Sequence, residues 1–306
     1  MSGPQSSSRN ILADLSQALA DAVERAAEAT VLVNARRRLP ASGIVYAADR
    51  ILTADHIIER EEDISVVLPD GSEVSASLVG RDPRSDLALL RLDRAASTIA
   101  QHAAQEARIG QMVLALGRPT RAGIEASLGI VSAAGGPVRT GRGGLIERYL
   151  RTDAIPYPGF SGGPLIDSDG AVVGINTSGL AMGTMLCIPM AQAKKIADAL
   201  AQHGRIKRGY LGIRSQPSEL PTAQQQALGR QQRAGLLVIW VEDGGPAAQG
   251  GLIVGDILVA IGGRPVEHPD DLQSELAGAI VGQQVAVEVL RGGQPQTLTV
   301  TVGERR

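Results

Sequence analysis

The 306-residue chain has a single cysteine, Cys187, so it can form no internal disulfide and no multi-cysteine zinc site. The "MLCIPM" around it is apolar, the setting of a small buried hydrophobe. The chain also lacks an apolar run near the roughly 18 residues that a membrane span needs. Its opening "MSGPQSSSRN" lacks the charged-then-apolar layout of a secretory signal. As written, this reads as a soluble, cytoplasmic protein, or as an extracytoplasmic one if a leader precedes it. Charge of one sign is missing too. Lys and Arg number 30 against 32 Asp and Glu, a net charge of -2, which gives nucleic acid no electrostatic footing. Arg36-Arg37-Arg38 is the one tight basic run and reads as a solvated turn. No residue pattern calls for a metal or a cofactor.

What is present is an ordinary apolar content of 43 %, enough for buried cores, on a length suited to two domains. Residues 1–9 are polar and Ser-rich. From Asn10, Ile11, Leu15, Leu19 and Val23 recur at helical spacing, with Leu12, Ala22 and Ala26 widening the stripe. Short strand-like pieces follow: "SGIVYA", "DRILTA", "DLALLRLD", "QMVLALG", "EASLGIVSA" and "AVVGINTS", separated by Gly-rich turns. Many short strands without helices between them predict a closed antiparallel β architecture. A second helix is predicted from Met190 to a stop at Gly204. After a compositional break near residue 206, a smaller unit alternates strands (236–241, 257–261, 284–290, 296–302) with short helices near 246–250 and 269–278. The Gln-rich piece before it reads as a surface helix or loop.

The segment "YPGFSGGPLIDSDGAVVGI" sets Ser161 among glycines. A serine hydroxyl attacks carbonyls only when a base takes its proton and donors await the oxyanion. The N–H groups of Gly159 and Ser161 can face one pocket. The pentad GFSGG also satisfies the G-x-S-x-G nucleophile elbow of α/β-hydrolases. That elbow precedes a helix, whereas Pro164 and the strand-like "PLID" follow here. The chain has four histidines, and His56 alone has a marked context, "ILTADHII". Further on, "DPRSDLALLRLD" puts Asp86 just before an apolar strand, where a carboxylate can orient the base. The order His, Asp, Ser on a strand-rich chain is that of chymotrypsin-like proteases.

Together, "ILTADHII", "DPRSDLALLRLD", "LRTDAIPYPGFSGGPLIDSDGAVVGINTS" and "HGRIKRGYLGI" resemble the HtrA/Deg family of trypsin-like serine proteases, from about residue 11 to residue 303. The resemblance implies a mainly β fold: an N-terminal tail and amphipathic helix (1–29), a chymotrypsin-like double β-barrel protease domain (30–205) and a PDZ domain (206–306). It implies His56 as general base, Asp86 as its orienting acid, Ser161 as nucleophile, and Gly159 and Ser161 N–H groups as the oxyanion hole. "GYLGI" resembles a PDZ carboxylate-binding loop, giving Tyr210, Leu211, Gly212 and Ile213 that role. The implied activity is endoproteolysis of unfolded or damaged chains. Implied partners are those chains, C-terminal peptides at the PDZ domain, and further copies in a trimer-based homo-oligomer. With no aromatic before Tyr46, an oligomer would rest on the aliphatic face of the first helix.

Two residues depart from the family. Phe160 stands where Asn is usual, and its ring is expected on the S1′ side. Asp55 stands directly before His56 and would act on the imidazole if it faced the ring. On these two rests the alternative of a weak or inactive peptide-binding chaperone. No acidic residue occupies the expected S1 floor near Ile155 and Pro156, so small or medium apolar residues are the predicted cleavage sites. The Gly/Arg-rich 133–148 segment reads as a long mobile loop, and the resemblance implies that it senses the PDZ domain or neighbouring subunits, with Arg139 and Arg142 as candidate contacts.

Overall fold

Asn10 caps the first helix, its side-chain oxygen accepting the Ala13 N–H at 3.3 Å. In the computed structural model, which describes residues 10–139, 145–180, 185–276 and 280–304, this helix is α1, Ile11–Ala27. Its C-terminal half packs: Ala22 and Ala26 are buried, and Arg25 donates to the Asp169 carbonyl. The expected apolar stripe is buried only there. Ile11 and Leu12 are 75 % and 76 % exposed.

Contacts divide the chain into a unit ending at Arg205 and a second beginning at Ile206. In the first, strands β1 (Thr30–Asn34), β2 (Ala41–Ala47), β3 (Arg50–Ala54), β4 (Ile64–Val67), β5 (Glu73–Asp82) and β6 (Leu87–Leu92) close a barrel in the order β1-β2-β3-β6-β5-β4. Closure leaves no open sheet edge, and Val31, Val33, Val45, Ile51 and Leu90, which share one face by register, are fully buried. The next strands are β7 (Met112–Thr120), β8 (Gly123–Gly135), the short ribbon β9 (Val138–Arg139) and β10 (Leu145–Ile146), then β11 (Tyr149–Thr152), β12 (Pro164–Ile166), β13 (Val172–Thr177) and β14 (Met185–Pro189). Without the ribbon they form a second closed barrel, β11-β14-β13-β12-β7-β8. Helix α2, Met190–His203, ends at Gly204 with φ +68° and packs against β5, β6, β13 and β14. Arg142 of the proposed sensing loop lies outside the described residues.

The second unit opens with β15 (Gly209–Tyr210) and β16 (Ile213–Glu219), followed by α3 (Thr222–Leu228) on the Gln-rich piece. Next come β17 (Ala234–Val241), α4 (Pro246–Gln249), β18 (Ile257–Ile261), β19 (Arg264–Pro265), α5 (Pro269–Glu275), β20 (Gln284–Arg291), β21 (Gln294–Thr301) and β22 (Gly303–Glu304). The sheet runs β16-β17-β18-β20-β21, so β16 is an edge, and β15 pairs with β22. Leu236, Val238, Leu258, Val287, Val289 and Val300 form its core.

Candidate active site

Strand register assembles the first half of the site. β3 pairs antiparallel with β6, Ala54 opposite Leu87, so the residues just beyond each strand end meet side by side. The Asp55 N–H donates to the Asp86 carbonyl at 3.0 Å, and the His56 N–H to Asp86 Oδ1 at 2.9 Å. His56 Nδ1 stands 2.8 Å from Asp86 Oδ2. With a carboxylate at Nδ1, the ring carries its proton there and leaves Nε2 free to accept one. Asp86 is fully buried and holds a left-handed φ of +57°, uncommon for a non-glycine residue.

Three consecutive residues, in the "INTSGLAMGTMLC" stretch that the family resemblance places along the S1 pocket, complete this support. The Thr177 hydroxyl donates to Asp86 Oδ2 and in turn accepts the Gly179 N–H at 3.0 Å. Gly179 lies against the pair: a Cβ there would stand 2.6 Å from Asp86 Oδ2 and 2.7 Å from His56 Nδ1. Between them, Ser178 Oγ lies 3.1 Å from Ser161 Oγ. No local pattern in "NTSG" announces these roles, because the partners are distant in the chain.

Asp55 turns away from the imidazole. It is buried, 1 % exposed, and pairs with Arg81 Nε of β5 at 2.6 Å. The same guanidinium donates to the carbonyls of Asp55 and Ile58 and bridges to Glu61 at 3.0 Å. Burial alone would lower the Arg81 pKa; the Asp55 and Glu61 contacts outweigh it and hold the value above the ordinary one. Arg81 therefore staples the short 3₁₀ turn, Asp55–Ile57, that carries His56. Arg81→Gln takes the cation away from a buried carboxylate, and should cost about 3 kcal/mol of stability. In a thermal melt, adding Asp55→Asn should recover at least half of that loss; a double variant no more stable than the single one would show that the pair is not what holds the turn.

Ser161 lies in the tight turn before β12. The Phe160 N–H bonds to the Tyr157 carbonyl at 3.1 Å, Gly163 N–H to Phe160 at 2.9 Å, and Gly162 N–H to Asn176 at 2.9 Å. The first barrel grips the same turn: Ser42 N–H donates to the Ser161 carbonyl and Ser42 Oγ to that of Gly159. Among the described residues, no hydrogen bond uses the N–H of Gly159 or of Ser161. Gly162 has φ +85°, and a Cβ there would collide with the Ser42 carbonyl and Thr53 Oγ1.

The Phe160 ring is not on the S1′ side. It is 1 % exposed and sits in the second barrel's core with Val113, Val131 and Leu165, edge-on to Tyr157 at 5.5 Å. Gly117 provides the slot, since any side chain there would overlap the ring. Cys187 is buried beside it, donating to Asn176 Oδ1 at 3.4 Å, and burial raises its pKa.

His56, Gly159 and Ser161 open onto one cleft of about 900 Å³, counted to its mouth, walled by Pro156–Phe160 and Asn176–Ser178. Arg36 and Arg38, from the basic run, line it as well. Among the described residues, no hydrogen bond joins Ser161 to His56.

In the second unit, Leu211 is buried and its carbonyl accepts the Ala247 N–H at 2.7 Å, while that of Gly212 accepts the Glu242 N–H at 2.8 Å. Among the described residues the N–H groups of Leu211 and Gly212 are unspent, and Gly212 has φ +79°. Tyr210 is engaged in β15, and Ile213 starts edge strand β16. A half-buried Glu242 carboxylate stands beside the loop, close to Gly212 and Gly245.

The Trypsin-like peptidase domain family matches residues 41–175, and the PDZ domain family matches residues 209–302. The class is thus a trypsin-like serine peptidase fold joined to a PDZ domain. Proteins named "Probable periplasmic serine endoprotease DegP-like" from Pseudomonas putida and Pseudomonas fulva are 36 % and 38 % identical over 269 residues. Each alignment covers 86 % of this chain and 55 % of the relative, so the chain spans about half the length of the curated relatives it matches. The solved structure of "HtrA-type protease AlgW with decapeptide" aligns with TM-score 0.78 and 31 % identity over 94 % of this chain and 99 % of that one. A serine endoprotease from Yersinia pestis aligns with TM-score 0.76 and 33 % identity, over 94 % and 98 % of the two chains. The chain belongs to the HtrA/Deg family of serine proteases. No described helix is long and apolar enough to cross a membrane.

Proposed function

We propose that the chain is a serine endopeptidase for unfolded polypeptides, with Ser161 as nucleophile, His56 as general base and Asp86 as the group that orients the base. One observation carries this reading: a histidine with its Nδ1 held by a buried carboxylate opens onto the cleft that exposes a glycine-flanked serine. Ser161 Oγ bonds to the scissile carbonyl carbon as its proton passes to His56 Nε2. The oxyanion is received by the N–H groups of Gly159 and Ser161. The tetrahedral species collapses, the C–N bond breaks, and His56 returns the proton to the leaving amine. Water then hydrolyses the acyl-enzyme by the same route. Asp86 stabilises the transient imidazolium and takes no proton itself. Among the described residues, Glu59 is the one carboxylic side chain lining this cleft, and it accepts the Arg37 N–H. With Ile155 and Pro156, and no acid, at the expected S1 floor, small or medium apolar residues suit the S1 pocket; nearby Asp153 is engaged by the Ile130 N–H. Such residues are buried in folded proteins, which directs cleavage to unfolded ones. Incubation with β-casein beside a Ser161→Ala control tests the assignment: wild-type inertness, or equal cleavage by both, overturns it.

The second unit would bind a C-terminal peptide, its carboxylate on the N–H groups of Leu211, Gly212 and Ile213 and its strand added along the open edge of β16. Pro217 of β16 has no N–H to offer, which confines that ladder to the residues before it. Glu242 opposes the incoming charge, so Glu242→Gln should tighten a C-terminal peptide about threefold at low salt and less at high salt. Fluorescence anisotropy measures this, and an unchanged affinity would move the carboxylate elsewhere. The relatives named periplasmic favour an extracytoplasmic site of action, and the exposed Ile11–Leu12 end of α1 suits a homo-oligomer, trimer-based as the family resemblance implies.

A further inference from the structure

The Ser161 hydroxyl has a neighbour that the mechanism above does not use. Ser178 Oγ lies 3.1 Å away, on the residue between Thr177, which holds Asp86, and Gly179, which packs on His56 and Asp86. Ser178 is exposed on the cleft wall, so its hydroxyl is not needed to fill a core. We propose that Ser178 is a positioning residue that restrains the nucleophile in the resting enzyme, an inference that rests on Ser161 being that nucleophile.

Both senses of the hydrogen bond oppose attack. If Ser161 donates, its single proton points to Ser178 and not to His56 Nε2, so the base has nothing to remove. If Ser161 accepts, one of its lone pairs is committed to the Ser178 proton and its oxygen is a poorer nucleophile. Either way, the hydroxyl must leave Ser178 before the reaction begins. A substrate that offers either hydroxyl a competing partner would break the contact. The restraint is one neutral hydrogen bond, of the size that changes an equilibrium about fivefold.

The test uses the full chain and a small fluorophosphonate, which reacts with an activated serine without needing extended peptide contacts. Ser178→Ala should label at Ser161 about fivefold faster than wild type, with kcat/KM for a short chromogenic peptide rising in parallel. Ser178→Thr, which keeps a hydroxyl, should return toward the wild-type rate. A merely structural role predicts the opposite direction: slower labelling in Ser178→Ala, with a lowered melting temperature. Unchanged or slower labelling overturns the restraint. The underlying reading fails separately, when neither wild type nor Ser178→Ala labels in a manner abolished by Ser161→Ala. An inert wild type beside a reactive Ser178→Ala would support the restraint.

Discussion

Asp86→Asn is expected to lower kcat for peptide hydrolysis by about four orders of magnitude while the chain stays folded. The reason lies in which contacts can be reversed. Oδ1 receives the backbone N–H of His56, a donor that cannot become an acceptor, so an amide at this position must keep its oxygen there. Its NH₂ then takes the place of Oδ2, facing His56 Nδ1 and the Thr177 hydroxyl. Thr177 adapts by turning its proton. The imidazole adapts only by becoming the acceptor at Nδ1, which moves its proton to Nε2 and removes the site that would receive the Ser161 proton. Steady-state kinetics beside a thermal melt checks both halves. A loss below about tenfold would mean that Asp86 does not set the tautomer.

Gly162→Ala is expected to cost about a thousandfold in activity, and a matched control isolates the cause. Gly162 and Gly110 have nearly the same backbone, φ +85° and +87°. A Cβ at Gly110 meets nothing within 4 Å, whereas at Gly162 it strikes the Ser42 carbonyl and Thr53 Oγ1. Gly110→Ala therefore carries left-handed strain alone, about 1 to 2 kcal/mol of stability, with activity retained. Gly162→Ala adds a collision with fixed backbone, and relief comes only by moving the turn that carries Ser161 and its N–H groups. Equal activity in the two variants would show that the turn relaxes without disturbing the site.

Much of the architecture was legible in the chain. Short strands broken by Gly-rich turns, with no helical pattern between them, can be satisfied by barrels, and the 3.6-residue periods marked α1 and α2 at their ends. Ser161, His56 and Asp86 stood out because each sits at the mouth of an apolar strand in a small-residue context. The direction of a side chain beside a turn was not legible. Phe160 was expected on the substrate side, yet its ring enters the barrel because Gly117, far back in the chain, leaves a slot of its shape. Whether Asp55 faced the imidazole or solvent was open in the sequence, and only the fold brings Arg81 of β5 to it. The contacts of Thr177, Ser178 and Gly179 to the triad were illegible for the same reason. A hydroxyl at a strand end is unremarkable until the fold sets Asp86 beside Thr177 and Ser161 beside Ser178.

The solitary thiol of Cys187 has a use beyond packing. Sealed in the second barrel and kept protonated by its surroundings, it is out of reach of oxidants and of maleimide alike. In an oxidising compartment such a chain forms no stray cross-links between copies. It also means that one cysteine introduced on the surface of either unit can carry a dye or spin label in an otherwise native background. Paired labels would then read the separation of the peptidase and PDZ units as a peptide binds.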